Sequence, residues 1–221
     1  KWRIRTSDKK TVQQLQAALG CHAVTAALLV ERGHHSPEDA RRFLQPALKD
    51  LRQPFGIKDL NKAADRICRA VARRENIWIF GDYDVDGVTA TTLLYQFLQQ
   101  IEANVSFYLP HRVTDGYGLK ARHISEIAVP NQTHLIVTVD CGSSSHEAVA
   151  LAQKAGIDVI VTDHHEPPPT LPPAFAVVNP KRRDCTAGFQ DLAGVGVAFC
   201  LIAAIRRCLR NSKFWQGRRE P

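Results

Sequence analysis

Three features are missing from the sequence: methionine, any long apolar run and an N-terminal apolar segment. Because it has no methionine and begins at Lys1, the sequence is expected to be part of a longer translated product. A transmembrane helix needs about 20 mostly apolar residues, and a signal peptide needs an apolar segment near the N-terminus. Their absence argues against a membrane-spanning or secreted protein, so we predict a cytoplasmic one.

Paired cysteine motifs are also missing, although the sequence holds 6 cysteines. None of them forms the C-x-x-C pair that is typical of zinc sites, and most lie within apolar patterns. We therefore expect reduced, mostly buried thiols rather than disulfides or a zinc site. These cysteines are Cys21, Cys68, Cys141, Cys185, Cys200 and Cys208.

Acidic residues are scarce at both ends of the chain and concentrated in its middle. Residues 1–75 carry 16 basic and 8 acidic side chains, residues 76–176 carry 4 and 11, and residues 177–221 carry 9 and 3. An acidic centre between basic flanks is typical of a metal enzyme that acts on a polyanion. Any single basic pair, such as Arg73-Arg74, is explained more simply as a solvated helix face.

The chain is long enough to bury a core, with 221 residues of which 44% are hydrophobic. We expect one large domain, alone or with a small appendage. Residues 1–56 are predicted to form a small helical region, because apolar residues recur at helical spacing over residues 12–19 and 24–28. Ser36-Pro37 predicts the start of a further helix, with Ser36 as its N-cap.

An amphipathic helix is predicted from Leu60, and from Ile77 onward strands alternate with helices. Several apolar runs lack polar alternation, which indicates strands covered on both faces, as in a parallel sheet. We therefore predict a doubly wound α/β domain with a five-stranded, mostly parallel sheet and helices on both faces. The predicted strands are Ile77–Phe80, Val105–Leu109, Leu135–Val139, Val159–Thr162 and Ala176–Val178, and the predicted helices are Val88–Gln100, His146–Ala155 and Val197–Leu209.

Three carboxylates on alternate residues, Asp82, Asp84 and Asp86, follow the first predicted strand directly. Anions this close repel one another, and folds concentrate them mainly to hold hard divalent cations such as Mg²⁺ or Mn²⁺. The alternatives are an Asp-rich turn or a calcium loop, but an EF-hand loop needs a later Glu that this segment lacks. We predict that all three side chains are metal ligands.

Another acidic motif, Val139-Asp140-Cys141-Gly142-Ser143, ends the third predicted strand. In doubly wound folds ligands bind beyond the carboxyl ends of the strands. Asp140 is therefore expected at the same edge as the first cluster, as a further metal ligand. Ser143 is expected to cap the following helix or to offer its backbone amide to phosphate, and capping is the simpler role.

The fourth predicted strand ends in Thr162-Asp163-His164-His165. Two adjacent imidazoles cannot usually point the same way from one strand, so one can bind metal while its neighbour contacts the substrate. We assign His164 to the metal and His165 to the phosphate. A histidine pair is otherwise an ordinary polar loop, which is our interpretation of His34-His35.

A basic and aromatic motif follows the second predicted strand. Arg112 offers a bidentate donor to phosphate, His111 offers a second donor, and Tyr117 offers a face on which a base can stack. Arg112 is the most persuasive of the three, since residues 76–176 contain only 4 basic side chains. The adjoining Asp115-Gly116 is explained equally well as turn chemistry.

Two glycines, Gly194 and Gly196, precede the last predicted helix. A lone glycine pair is a weak signal for a phosphate-binding loop. Close packing of the helix against the sheet explains it equally well, and both interpretations stay open.

Five motifs in order resemble those of the DHH phosphoesterase superfamily, and most closely its RecJ-type exonucleases. They are Gly-Asp-Tyr-Asp-Val-Asp-Gly, Asp-Gly-Tyr-Gly-Leu, Val-Asp-Cys-Gly, Thr-Asp-His-His and Leu-Ala-Gly-Val-Gly-Val-Ala-Phe. The ordered set, which covers roughly residues 60–210, is far more specific than any single motif. The resemblance implies 5′-to-3′ removal of nucleotides from single-stranded DNA with Mn²⁺ or Mg²⁺, in recombination and repair. A monomer is expected, with a single-strand-binding protein or a helicase as its partner.

The resemblance also implies roles for individual residues. It places metal ligands at Asp84, Asp86, Asp140 and His164, and it places His165 near the scissile phosphate. Such a site performs two-metal hydrolysis. Asp140, as the bridging ligand, and His165 are the expected catalytic residues.

The sequence departs from the family pattern in two ways. Several relatives carry a His four residues before the middle Asp of the first motif, where this sequence has Phe80, and Asp82 is expected to replace it. The family's further metal-binding Asp and its nucleic-acid-binding domains belong to later sequence, beyond Pro221. We therefore expect an N-terminal catalytic portion of a longer enzyme, with residues 57–221 as its catalytic domain.

Two other functions are kept as alternatives. One is a DHH phosphodiesterase that acts on short oligonucleotides or cyclic dinucleotides. The other is a non-catalytic nucleic-acid-binding scaffold, as some DHH relatives in replication complexes are. A scaffold gains nothing from a cluster of carboxylates that repel one another, so the intact cluster argues against it.

Overall fold

A computed structural model describes residues 7–217 and residue 220. The chain divides into two compact units, Lys1–Gln53 and Pro54–Pro221. Among the described residues, no helix has both the length and the apolar character that crossing a membrane requires. All six cysteines are unpaired, as predicted.

The first unit contains three helices, α1 (Lys9–Leu19), α2 (Ala23–Glu31) and α3 (Pro37–Leu44), and a short 3₁₀ helix at Leu48–Asp50. Ser36 caps α3 as predicted, because its side chain accepts a hydrogen bond from the backbone N–H of Asp39 at 3.2 Å. A cap of this kind stabilises a helix by about 1 kcal/mol. A small apolar cluster joins the helices, formed by Leu15, Ala26, Leu29, Val30 and Ala40.

The second unit is a five-stranded sheet with helices on both faces, which confirms the predicted fold class. All neighbouring strands are parallel, in the order β2-β1-β3-β4-β5. The strands are β1 (Ile77–Phe80), β2 (Val105–Tyr108), β3 (Leu135–Val139), β4 (Asp158–Thr162) and β5 (Ala176–Val178). The helices are α4 (Leu60–Ala72), α5 (Val85–Gln100), α6 (Ala121–His123), α7 (His146–Lys154) and α8 (Gly194–Asn211), with a 3₁₀ turn at Pro54–Gly56 and a π-helix at Ile124–Ala128.

Successive residues of the buried strands β1, β3 and β4 enter opposite apolar layers, as the two-residue period of a strand requires. In β1, Ile77 and Ile79 pack with α4, α5 and α8. Trp78 and Phe80 pack on the other face with α7 and the π-helix. Full burial of one such side chain contributes about 1.5–3 kcal/mol, so the two layers hold the sheet rigidly beneath its loops.

Two helices begin earlier in the sequence than predicted, and both differences have the same cause. Helix α5 starts at Val85 rather than Val88, because Asp84 caps it by accepting the N–H groups of Asp86 and Gly87 at 3.0 Å each. Helix α8 starts at Gly194 rather than Val197, because Asp86 accepts its first N–H groups. The acidic motif is therefore also a capping motif. The short α6 and the π-helix were not predicted.

The strand order has a switch point between β1 and β3. The chain leaves β1 toward β2 on one side and returns to β3 on the other, so the loops after β1 and β3 separate. In open α/β sheets the crevice at such a point is where ligands bind. The two acidic motifs follow these two strands.

Candidate active site

Carboxylates from both sides of the switch point converge. One oxygen from each of Asp82, Asp84 and Asp140 lies within 4.8 Å of the others. Asp82 is 3% exposed and Asp140 is 1% exposed, whereas Asp84 lies at the surface. These oxygens therefore surround a common point that opens to solvent on one side.

Asp140 is the most unusual member of this cluster. Both of its carboxylate oxygens are buried, and neither accepts a hydrogen bond from the described residues. Its backbone has a φ of 62°, a left-handed conformation that costs about 1–2 kcal/mol outside glycine. A buried, unsatisfied carboxylate is itself costly. The second cost is removed when such a carboxylate binds a cation.

The electrostatics of Asp140 support the same interpretation. Burial, followed by the negative charges of Asp86 and Asp84, raises the pKa of Asp140 to about 8. Burial also raises the pKa of Asp82, and the nearby Asp84 raises it further. Without a counter-charge Asp140 therefore keeps its proton near neutral pH. A divalent cation would supply that counter-charge, and the oxygen donors suit Mg²⁺ or Mn²⁺.

His164 faces the cluster from the end of β4. Its Nε2 lies 3.0 Å from Asp140 Oδ1 and 3.5 Å from Asp86 Oδ2. The contact with Asp140 lacks the alignment of a hydrogen bond. Two potential ligand atoms meet here, so this geometry is compatible with the metal role predicted for His164.

Asp86 is held by the N-terminus of α8. Its Oδ2 accepts the backbone N–H of Gly194 at 2.6 Å, and its Oδ1 accepts that of Val195 at 2.7 Å. The glycine motif is therefore an anion-binding helix terminus whose anion is a carboxylate of the same chain. Each oxygen keeps a second lone pair, so the metal role of Asp86 stays a prediction.

The close-packing interpretation of the glycine motif also has a physical basis. A Cβ atom on Gly194 would lie 2.3 Å from Asp140 Oδ1. No side chain fits at that distance, so the start of α8 can approach the Asp140 carboxylate only with glycine there.

His165 also lies near the cluster, with one ligand atom each of His165, His164 and Asp140 within 4.8 Å of the others, but its hydrogen bonds are its own. Its ring Nδ1 lies 2.8 Å from Asp163 Oδ1 and 3.2 Å from the hydroxyl of Tyr117. The hydrogen bond to Asp163 raises the pKa of His165. With Nδ1 held in this way, Nε2 is left for a ligand. The side chain is 47% exposed, as expected of a group that contacts substrate.

Asp163 lies at the centre of this network. Its carboxylate accepts the backbone N–H groups of Ser143, His164 and His165, at 2.9, 2.8 and 3.1 Å, as well as the ring of His165. Burial alone would raise the pKa of Asp163, but these bonds outweigh it and lower the pKa to about 2. Asp163 is therefore ionised and orients the histidine motif.

Ser143 differs from its prediction. Its backbone N–H is committed to Asp163, and its hydroxyl accepts a hydrogen bond from Asn179 at 3.0 Å. The amide is therefore not free for a phosphate, and Ser143 links two loops instead. Ser145 occupies the N-cap position of α7, where its side chain makes no capping hydrogen bond.

The loop after β2 brings Arg112 beside the acidic motif. The Arg112 guanidinium lies 5.6 Å from the ring centre of Tyr83, the residue between Asp82 and Asp84. Arg112 is exposed, so its donors face solvent near the carboxylates. This position is compatible with the phosphate-binding role predicted for Arg112.

Asp115 organises the same loop. Its carboxylate accepts the backbone N–H of His111 at 2.7 Å, the hydroxyl of Tyr108 at 3.0 Å and a guanidinium N–H of Arg122 at 2.7 Å. The His111 ring accepts the N–H of Thr114 through Nδ1 at 3.3 Å, so one of its nitrogens serves the turn. The Asp-Gly turn interpretation is thus only part of the role of Asp115.

Tyr117 lies at the rim of an open cleft of about 560 Å³ beside His165. The residue is 47% exposed, and its ring meets the His165 ring edge to face at 5.8 Å between centroids. Burial of its hydroxyl, with the charge of Asp163, raises the pKa of Tyr117. Other side chains that line the cleft include Lys120, Arg122, Ser144 and His146.

Phe80, which stands where several relatives of the resembled family have histidine, takes no part in the cluster. It is fully buried and stacks on Tyr108 at 5.8 Å between ring centres. Asp82, two residues on, lies within the cluster instead.

Sequence reasoning assigned no role to two residues of this site. Asp163 belongs to the motif Thr162-Asp163-His164-His165, and its position at the end of β4 could have indicated a role in the site. Asn179 occupies the equivalent position after β5, but an isolated Asn carries no such signal. Both act by hydrogen bonds between loops, which only the fold reveals.

Comparison with known proteins reveals relatives over most of the chain. Residues 76–216 match the DHH family, N-terminal domain. The single-stranded-DNA-specific exonuclease RecJ of Bacillus subtilis is 43% identical over 205 residues, which are 93% of this chain and 26% of that protein. The protein of the same name in Haemophilus influenzae is 35% identical over 215 residues, 96% of this chain and 37% of that protein.

Solved structures agree with these relatives. RecJ in complex with Mn²⁺ from Thermus thermophilus superimposes with a TM-score of 0.73 at 30% identity, over 93% of this chain and 28% of that chain. Exonuclease RecJ bound to manganese gives a TM-score of 0.61 at 37% identity, over 69% of this chain and 38% of that chain. The chain thus spans well under half the length of these proteins.

Proposed function

The chain belongs to the DHH family, and we propose that it is the catalytic portion of a metal-dependent 5′-to-3′ exonuclease for single-stranded DNA. Its curated relatives are named single-stranded-DNA-specific exonucleases. Two related solved structures are described as manganese complexes. The basic residues 1–75 favour a polyanionic substrate. We propose residues 57–221 as the catalytic domain.

One observation carries this proposal: a buried Asp140 with no hydrogen-bond partner among the described residues, facing further oxygen donors and an imidazole. We propose Asp82, Asp84, Asp86, Asp140 and His164 as the ligands of two Mn²⁺ or Mg²⁺ ions, with Asp140 shared between them. When bound, such ions lower the pKa of an attacking water and stabilise the leaving oxygen.

The remaining residues act on the phosphodiester. Asp163 is ionised and accepts the Nδ1–H of His165. The same contact raises the pKa of His165 and so favours the imidazolium, whose Nε2–H donates to a phosphate oxygen. The exposed guanidinium of Arg112 offers two parallel donors to the same group. Donors fixed before the reaction stabilise charge that develops on the phosphate in the transition state. Tyr117 offers its exposed ring to a base.

We also propose the cellular context of this activity. Six unpaired cysteines suit the reducing cytoplasm. An enzyme restricted to single strands needs single strands supplied to it, so a helicase or a single-strand-binding protein is the expected partner. We propose a monomer, which light scattering on the purified protein would check.

The experiment is a degradation assay with the complete protein and Mn²⁺, because the curated relatives are much longer than this chain. Single-stranded and duplex DNA carry a label at either end. We expect mononucleotides from single strands, with a 5′ label released first and duplex left intact. Attack on dinucleotides or cyclic dinucleotides, with long strands untouched, would replace this function by the small-substrate alternative. Binding of DNA without cleavage in Mn²⁺ or Mg²⁺ would favour the scaffold.

A further inference from the structure

Asn179 joins three loops of the candidate site. It directly follows β5, and its side chain is fully buried. Its Nδ2 donates to the Ser143 hydroxyl at 3.0 Å and to the backbone carbonyl of His165 at 2.9 Å. Its Oδ1 accepts the backbone N–H of Lys181 at 2.9 Å. The loops after β3, β4 and β5 are thus connected through one amide group.

Only an amide in this orientation satisfies these partners. The site presents two acceptors on one side, the Ser143 hydroxyl and the His165 carbonyl, and one donor on the other. If the amide were flipped, its oxygen would face the His165 carbonyl and its N–H groups would face the N–H of Lys181. The network therefore fixes which atom of Asn179 is Oδ1 and which is Nδ2. A carboxylate has the same shape but no hydrogen to donate, and it would face the His165 carbonyl with a second acceptor.

The contacts of Asn179 restrain the residue that we expect to bind the phosphate. Asp163 holds His165 by its backbone N–H at 3.1 Å and by its ring at 2.8 Å. Asn179 holds the same residue by its carbonyl oxygen. Because both ends of the His165 backbone unit and its ring are then fixed, the direction of Nε2 is set before substrate arrives.

We propose that Asn179 is a positioning residue, which aims His165 Nε2 at the scissile phosphate. The inference rests on the proposed function, in which His165 contacts that phosphate. Within the described part of the chain, none of the hydrogen bonds of Asn179 goes to a predicted metal ligand. We therefore expect a change at Asn179 to affect the chemical step more than metal binding.

The first test compares Asn179→Asp with Asn104→Asp in the complete protein. Asn104 is the control for the same change at an exposed position, because its Nδ2 also donates to a backbone carbonyl, that of Arg74 at 3.0 Å, and because it precedes β2 at the opposite ends of the strands. We expect Asn179→Asp to lower kcat by about tenfold or more, with KM and the thermal shift on adding Mn²⁺ unchanged. Asn104→Asp keeps the wild-type kcat. A kcat within twofold of wild type for Asn179→Asp overturns the inference.

A second test separates positioning from a general structural role. If Asn179 acts through His165, adding Asn179→Asp to a His165→Ala protein has no further effect on kcat. Multiplying losses would mean that Asn179 acts elsewhere and would overturn the inference. Normal turnover of His165→Ala alone would instead remove His165 from the proposed function, which is a distinguishable failure.

Ser143→Ala covers the case in which Asn179→Asp does not fold. It removes one acceptor of the Asn179 amide without burying a charge, and the bond to the His165 carbonyl remains. We expect a smaller loss of kcat, about two- to fivefold, which again disappears in the His165→Ala background. A loss of the same size in both backgrounds contradicts the inference.

Discussion

Asp140 and Asp163 end neighbouring parallel strands, β3 and β4, and each is only 1% exposed. Their pKa values nevertheless shift in opposite directions, to about 8 for Asp140 and to about 2 for Asp163. Asp163 accepts hydrogen bonds from backbone and imidazole donors. Asp140 accepts none from the described residues and faces other carboxylates. Both carboxylates are buried, so the hydrogen-bond donors that surround Asp163 account for the difference between the two pKa values.

Buried aspartates therefore have two different roles in the proposed site. A carboxylate satisfied by its own chain fixes the geometry of its neighbours, as Asp163 does for His165. A carboxylate left unsatisfied keeps its lone pairs for a cation, which is the role proposed for Asp140. In the proposed site, a preorganised half would contact the phosphate and an incomplete half would be completed by metal ions.

The largest expected effect comes from Asp140→Asn, which removes the charge and keeps the shape. We expect kcat to fall by about a thousandfold or more, because the shared ligand is lost. Binding of single-stranded DNA in a filter assay should stay within about threefold, since the basic surface is unchanged. Asp65→Asn, on the exposed face of α4, is the control and should be fully active. Near-normal turnover by Asp140→Asn would refute the ligand assignment.

Gly194→Ala tests whether metal binding depends on the exact position of the Asp140 carboxylate. The added Cβ would lie 2.3 Å from Asp140 Oδ1, so the carboxylate or α8 must shift. Overpacking of this kind costs about 1–3 kcal/mol, and we expect Mn²⁺ affinity and kcat to fall by about ten- to a hundredfold. Gly56→Ala is the control, because its Cβ would meet only Ala187 Cβ at 3.6 Å. Equal behaviour of the two variants in Mn²⁺ titrations would contradict the close approach.

Asp163→Asn changes the carboxylate that, unlike Asp140, accepts hydrogen bonds from its own chain. An amide cannot accept from all of the present donors, so stability should fall by about 1–3 kcal/mol and kcat by about tenfold. Metal binding should survive, because the proposed ligands are other residues. Denaturant unfolding and the Mn²⁺-induced thermal shift measure the two effects. Loss of the thermal shift with retention of stability would reverse the roles that we give to the two aspartates.

The smallest expected effect is a pH dependence of the metal-free protein. The pKa of Asp140 is raised from 3.8 to about 8, so its contribution to stability is present below pH 3.8 and is lost as the pH rises through 8. The raised pKa of His165 acts in the same direction. The lowered pKa of Asp163 contributes stability above pH 3.8 that is lost only as the pH falls toward 2.

Melting in EDTA should therefore occur at a temperature that falls by about a few degrees between pH 5 and pH 8. Asp140→Asn should remove most of this slope, and excess Mn²⁺ should oppose it in the wild type. A melting temperature that rises over this pH range in EDTA would contradict the raised pKa of Asp140.

Much of the fold could be predicted from the sequence, because apolar runs mark buried strands and parallel strands align their carboxyl ends. That reasoning placed Asp82, Asp84 and Asp140 at one sheet edge, where the structure brings them together. It missed the capping of α8 by Asp86, because this pairing joins residues 108 positions apart. It also left Ser143 two roles, helix capping or an amide free for phosphate, since a strand end does not reveal that Asp163 accepts this amide or that Ser145 takes the N-cap position.

The sequence could not show which buried polar groups have hydrogen-bond partners and which have none. The Asp-rich motif predicts a metal, but only the fold shows that Asp140 lacks partners among the described residues while Asp163 is saturated. Asn179 makes the same point, because its value lies in the three groups that surround it.

Calorimetry of Mn²⁺ binding at pH 7 tests the central claim most directly. Because the pKa of Asp140 is about 8 in the metal-free protein, Asp140 must lose its proton to bind a cation. Titration in buffers of different ionisation enthalpy should show release of about one proton as Mn²⁺ binds, and Asp140→Asn should lose both this release and tight binding. Binding of Mn²⁺ with equal affinity to wild type and Asp140→Asn, without proton release, would contradict the account.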